Sequence, residues 1–158
     1  MRIELPFQRT KCSCPMCQVY CQHAPGRLAP WDLAYLSGGH DLMTWAEQHL
    51  RAVIDAPYPK LIPVAKPGGE CHWYINGNCA VHTDAPFGCA YFDAHMSNDE
   101  VKKRGQLGIQ ACLADAGRDG PYTKVWRHLV GKGLTAKSAD RRAVDGAMAK
   151  VVQQMEKK

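Results

Sequence analysis

The sequence has no long hydrophobic run. No apolar stretch approaches the roughly 18 residues that a membrane-spanning helix requires, so we expect no membrane association. The first six residues also lack the apolar centre of a secretory signal, which favours a cytoplasmic location. A length of 158 residues predicts one domain, residues 1–158, with a modest core.

Motifs of familiar catalytic sites are also missing. There is no G-x-G-x-x-G, and no Ser, His and Asp order stands out. The segment from Gly131 to Ser138 is close to a phosphate-binding loop, but Ala136 occupies the position that requires glycine. The spacing Cys17-x3-Cys21 continues to Ala24, so the three-cysteine signature of radical S-adenosylmethionine enzymes is absent. Catalytic activity therefore stays undecided.

Positive charge is concentrated near the C-terminus. Residues 123–158 carry nine Lys and Arg against three Asp and Glu, a net charge of +6, whereas residues 1–122 carry −1. We interpret 123–158 as a basic helical extension whose charged face is solvated. A basic-tailed nucleic-acid accessory protein is a less favoured alternative, because no aromatic residues are interleaved with the charges. A protein partner is left open.

Cysteine, by contrast, is abundant and clustered. Seven of the eight cysteines fall into two segments: Cys12, Cys14, Cys17 and Cys21, then Cys71, Cys79 and Cys89. In a reducing compartment, such clusters indicate a metal site more often than disulfides. The eighth, Cys112, lies on an apolar helical stripe and is expected to be a small buried hydrophobic residue.

The second cysteine segment contains a strong hairpin signal. Asn76-Gly77 suits a turn in which both central residues have positive φ, so residues 72–75 and 79–82 are predicted as two short strands. Pro86 then ends the second strand and turns the chain towards Cys89. We therefore expect the hairpin cysteines to converge with those of the N-terminal segment.

The rest of the chain is predicted to be helical. The fold class is mainly α with one short β-hairpin, in a small domain stapled by metal. Asp41 caps a helix whose apolar stripe extends to Val53, and Ser97 caps another that begins at residue 98. Shorter helices are expected at residues 30–36 and 122–130, and Ser138 is expected to cap the last helix.

Six cysteines are predicted to bind metal: Cys14, Cys17, Cys21, Cys71, Cys79 and Cys89. Four thiolates suffice for a structural zinc ion or an iron–sulfur cluster. Zinc ribbons usually contain two C-x2-C pairs, whereas this chain has one and its other intervals are irregular. That irregularity favours a cluster, 4Fe–4S by preference, with zinc as the alternative and a structural or electron-transfer role. Further candidate ligands are Cys12, His72, His82 and His95.

The cysteine spacing resembles that of the CxxCxxCC cysteine-cluster family, whose members are described as zinc- or iron-chelating domains. Cys14, Cys17 and Cys21 match the first, second and fourth cysteines of its opening motif, and Tyr20 stands in place of the third. Cys71 matches the lone cysteine that follows. The closing motif is matched by a final set of residues: Cys79, Val81, Pro86 and Cys89, with His82 for tyrosine and Ala85 for arginine.

This resemblance implies a metal-binding module over residues 12–92, in which Cys12 can replace the missing third cysteine. Flagellin lysine N-methylases have a similar cysteine pattern, which implies methyl transfer as an alternative function. The chain is short for such an enzyme and lacks a glycine-rich cofactor loop. Metal binding is therefore the favoured function.

Overall fold

A computed structural model describes residues 5–10, 12, 14–81 and 85–157. These residues form a mainly helical domain, as predicted, with short strands. The helices are α1 Pro15–His23, α2 Asp32–Ser37, α3 Leu42–His49, α4 Phe87–Ala90, α5 Asn98–Gly117, α6 Pro121–Gly131 and α7 Arg141–Glu156. The strands are β1 Leu50–Val53, β2 Lys60–Pro63, β3 Tyr74–Ile75, β4 Asn78–Cys79 and β5 Thr135–Ala136.

A three-stranded sheet, which the sequence did not predict, has the order β2-β1-β5. The helix expected to extend to Val53 ends at His49, and the next four residues form the central strand β1. β1 pairs antiparallel with β2 and parallel with β5. The prediction was wrong because Leu50 and Val53 fit a helical stripe and a buried strand equally well, and both are fully buried in the sheet.

The hairpin is confirmed, with shorter strands than predicted. Asn76 and Gly77 have φ values of 52° and 80°, as the turn between β3 and β4 requires. Tyr74 pairs with Cys79, and Ile75 with Asn78. The predicted end of the second strand, residue 82, lies outside the described residues.

The predicted helix caps are largely correct. The side chains of Asp41 and Ser97 accept hydrogen bonds from the backbone N–H groups of Thr44 and Glu100. The last helix is capped by Asp140 instead of Ser138, whose backbone N–H and hydroxyl both donate to Asp55. That interaction fixes the end of β5 to the segment after β1.

The core lies between the sheet, α3, α5 and α6. Tyr122 and Leu129 of α6 are fully buried, and the Tyr122 hydroxyl donates to the Leu28 carbonyl and accepts from the Leu61 backbone N–H. Cys112 on α5 is fully buried, as predicted, whereas Leu113 is half exposed. The buried face of α5 thus includes Gly108 and Cys112 but leaves Leu113 towards solvent.

Two arrangements position the cysteine segments. α7 packs against α1, the helix that carries Cys17 and Cys21. In addition, the Cys71 backbone N–H donates to the Cys21 carbonyl at 2.8 Å, which joins the two cysteine segments. Among the described residues, no helix has the length and apolar character needed to cross a membrane.

Candidate metal centre

The N-terminus of α1 presents two cysteines one turn apart. Cys14 precedes the helix as its N-cap residue, Pro15 opens the first turn, and Cys17 follows within that turn. A C-x2-C pair in this position places both sulfurs at the positive end of the helix, which favours thiolates. The fully buried Val19 anchors the helix to the interior. Residues 12–21 have no apolar helical stripe, which predicts turns with at most one helical turn, whereas the structure has a nine-residue helix, Pro15–His23.

Four possible ligand atoms converge at this point. They belong to Cys12, Cys14, Cys17 and His95, and they all lie within 4.8 Å of one another. The Sγ atoms of Cys14 and Cys17 are 3.7 Å apart, and the Cys14 Sγ lies 3.2 Å from the His95 Nε2. This is a three-cysteine, one-histidine set, suited to holding a metal ion.

Asp93 brings the distant histidine to the cysteines. Its carboxylate accepts from the His95 backbone N–H at 2.9 Å and from the Thr10 hydroxyl at 2.8 Å. Burial opposes ionisation of Asp93, but these hydrogen bonds outweigh it and lower its pKa. The same Thr10 hydroxyl accepts from the Cys12 backbone N–H at 3.3 Å. The Asp93 carboxylate thus connects the segment around Thr10, before α1, to the segment that carries His95.

The pKa values of Cys14 and Cys17 are shifted in opposite directions. The backbone N–H of Cys17, helped by His95, lowers the pKa of Cys14 to about 6. Burial raises the pKa of Cys17 to about 12, and the neighbouring Cys14 thiolate adds to that rise. Without metal, the pair therefore holds one negative charge and one proton near neutral pH. A soft cation can displace that proton, as happens when thiols bind metal.

A backbone donor supports the second sulfur. The Ala94 N–H donates to the Cys17 Sγ at 3.5 Å. Hydrogen bonds from outside the ligand set orient ligands and tune the metal they hold. The segment 93–95 therefore contributes a ligand, a donor to another ligand, and the carboxylate that fixes its own position.

The structure distributes the six predicted cysteines over two places. Cys14 and Cys17 belong to the set with Cys12 and His95, which we call the surface set. Cys21, Cys71, Cys79 and Cys89 are not members of that set, and they lie in partly or fully buried positions. We call these four the interior set.

The remaining candidate ligands have other surroundings. The Nε2 of His72 lies 3.0 Å from the Nδ1 of His49, and its own Nδ1 lies 3.0 Å from the Val64 carbonyl. The His49 ring stacks with Trp73, and the His72 ring packs against Trp73 at a tilt. Because burial lowers the pKa of both histidines, they fit a neutral, packed pair. The candidate His82 lies outside the described residues.

Sequence reasoning left Cys12 and His95 outside the six predicted ligands, naming them only as further candidates. The signal for Cys12 was local, since it lies two residues before Cys14. No spacing could place His95, because its approach depends on the Asp93 side chain. No family model, curated protein or solved structure matches this chain, so the family resemblance rests on the cysteine spacing alone.

Proposed function

We propose that this protein is a metalloprotein whose surface set binds one zinc ion in a structural role. The observation that supports this best is the separation of 3.7 Å between the Cys14 and Cys17 sulfurs. Two thiolates on one tetrahedral zinc, each with a bond of about 2.3 Å, lie about 3.8 Å apart. The spacing of this pair therefore suits ligands that share a single ion.

An iron–sulfur cluster fits this set less well. Each cysteine of a 4Fe–4S cluster binds a different iron, so its sulfurs lie farther apart than sulfurs that share one ion. A nitrogen ligand is unusual for 4Fe–4S, whereas three cysteines and one histidine are a common structural zinc set. The cluster expected from the cysteine spacing is therefore the second choice at the surface set.

A structural role follows from what the ligands connect. Cys12 belongs to the N-terminal segment, Cys14 and Cys17 to the start of α1, and His95 to the turn before α5. Zinc binding at such sites contributes about 10–16 kcal/mol at neutral pH, which is comparable to the whole stability of a domain. The ion would hold the N-terminal segment in place, while the distant apolar core around Leu61 and Leu129 maintains the rest of the fold.

Metal analysis and zinc titration of the full chain test this proposal. We expect zinc in the purified protein, and a zinc affinity at the surface set that falls by more than about 100-fold in Cys14→Ser and Cys17→Ser. Even residues that only orient ligands cost 10–100-fold when replaced, so loss of a ligand should cost more.

Cys112→Ser is the matched control, because Cys112 is fully buried and belongs to neither cysteine set. It should retain zinc with unchanged affinity and lose only some stability from the altered packing. If Cys14→Ser and Cys17→Ser bound zinc as tightly as Cys112→Ser at every site, the surface set would not be a metal centre.

A further inference from the structure

The interior set gathers four cysteines from separate parts of the chain. Cys21 lies on α1, Cys71 precedes the hairpin, Cys79 is in β4 and Cys89 is in α4. All four are free thiols. Cys71 is a core residue, and Cys21 and Cys79 pack against the same apolar cluster.

Backbone contacts join three of the four positions directly. The Cys71 N–H donates to the Cys21 carbonyl at 2.8 Å, and the Tyr74 N–H donates to the Cys71 carbonyl at 2.9 Å. Tyr74 is in turn the cross-strand partner of Cys79. The tyrosine hydroxyl also donates to the Gln18 side chain at 3.0 Å, which ties the hairpin to α1 a second time.

The fourth cysteine, Cys89, is positioned by a close backbone contact between Gly26 and Gly88. The Gly88 N–H donates to the Arg27 carbonyl at 2.8 Å, so α4 lies directly against the segment around residue 27. A Cβ added to Gly26 would lie 2.6 Å from the Cys89 Sγ. The chain therefore passes the Cys89 sulfur at a distance that only glycine allows.

The four thiols share a buried environment. Burial raises the pKa of each thiol, and that of Cys89 is raised further by the charges of Cys21, Cys71 and Cys79. Backbone N–H groups act against this rise at three of the sulfurs: those of Trp73 and Tyr74 at Cys71, Val81 at Cys79, and Gly26 at Cys89. Such donors favour thiolates, the form that binds metal.

A purely hydrophobic role would not require backbone donors beside these sulfurs. Cys112 shows how a packing thiol is placed in this protein, alone on the buried face of α5. The interior set instead takes cysteines from four separate parts of the chain, joined by the backbone contacts above, and places backbone donors beside three of the sulfurs. Thiolate sulfur is a soft ligand that selects zinc and iron over harder cations.

We propose that Cys21, Cys71, Cys79 and Cys89 form a second, all-thiolate metal centre that holds a thiophilic metal, either a zinc ion or an iron–sulfur cluster. This centre goes beyond the proposed function, because the interior and surface sets share no ligand. Four thiolates are the ligand set of structural zinc sites and of common clusters.

Cobalt titration of the metal-free full chain tests the proposal, since Co²⁺ occupies zinc sites and absorbs visible light. The wild-type chain should bind two Co²⁺ ions. The double variant Cys14→Ser/Cys17→Ser should retain one ion, in the all-sulfur interior centre, and Cys79→Ser/Cys89→Ser should retain the other in the surface set. A surface variant that binds no cobalt and takes up no cluster would overturn the proposal, even if the interior variant failed to fold.

A second arm of the experiment distinguishes the two forms of the centre. The surface variant is incubated anaerobically with iron and sulfide, then assayed for acid-labile sulfide and visible absorption that bleaches on reduction. A stable chromophore assigns a cluster to the interior set, and retained cobalt without a chromophore assigns a single ion. If the wild-type chain bound a metal ion only at the interior set, the proposed function would be contradicted. The interior centre would not be, because its ion would still be present.

Discussion

Replacement of Gly26 by alanine should displace Cys89 of the interior set, because the added methyl group would collide with the backbone of α4. The added Cβ would lie 2.3 Å from the Gly88 carbonyl carbon and 2.5 Å from the Cys89 backbone nitrogen. Ordinary contacts begin at about 3.4 Å, so α4 must move by about 1 Å. Backbone atoms cannot rotate away as a side chain can, which makes the strain hard to relieve.

The expected cost lies at the upper end of the about 1–3 kcal/mol typical of overpacking. For a chain of this size each kcal/mol shifts the melting temperature by about 2–4 °C, so Gly26→Ala should melt about 5–10 °C lower. It should also bind cobalt more weakly at the interior set, since α4 carries Cys89. Differential scanning calorimetry and the cobalt titration measure the two effects on the same samples.

Gly146→Ala provides the matched control. Gly146 lies inside α7, and no heavy atom lies within 4 Å of its added Cβ. Because glycine destabilises a helix interior, this change should raise stability by about 0.5–1 kcal/mol and leave both metal sites unchanged. If Gly26→Ala were as stable as Gly146→Ala and bound two cobalt ions, the packing argument for Cys89 would be refuted.

Three further changes probe other parts of the account. Asp93→Asn should weaken zinc binding at the surface set by about 10–100-fold in a competition titration, because Asp93 positions His95 without binding metal; unchanged affinity would remove its positioning role. Burial raises the pKa of Asp32 to about 6, so the folded chain holds a proton that the unfolded chain has released, and stability should fall as pH rises from about 4 to 6. Urea unfolding should show this fall in the wild type and a flatter profile in Asp32→Asn, and equal profiles would contradict it. Truncation after Lys137 removes α7 and should lower stability by about 2–3 kcal/mol, since it exposes Val144 and the covered face of α1; loss of a metal ion from the folded, truncated chain would place α7 in a metal site.

Local signals in the sequence predicted local structure well. The Asp41 and Ser97 caps and the Asn76-Gly77 turn each depend on interactions within a few residues, so their patterns could be interpreted directly. The strand β1 was missed because its residues satisfy a helical period. Its state is decided by pairing with β2 and β5, about 10 and 80 residues away.

The candidate site was only partly predictable for the same reason. Cysteine density indicated metal chemistry and included Cys14 and Cys17, but spacing could not divide the cysteines between two places. That division depends on α1, which points Cys14 and Cys17 towards His95 while Cys21 adjoins Cys71. The choice of metal likewise depends on sulfur separations, which a linear sequence does not contain.

The most direct test of the central claim is cadmium NMR of the full chain after cadmium replaces the bound metal. Cadmium binds thiolates in zinc sites, and its chemical shift depends on how many sulfur atoms surround it. A zinc site at the surface set predicts a cadmium resonance typical of three sulfurs and one nitrogen, which shifts or disappears in His95→Ala and is lost in Cys14→Ser/Cys17→Ser. A spectrum in which no cadmium resonance responds to either change would contradict metal binding by Cys12, Cys14, Cys17 and His95.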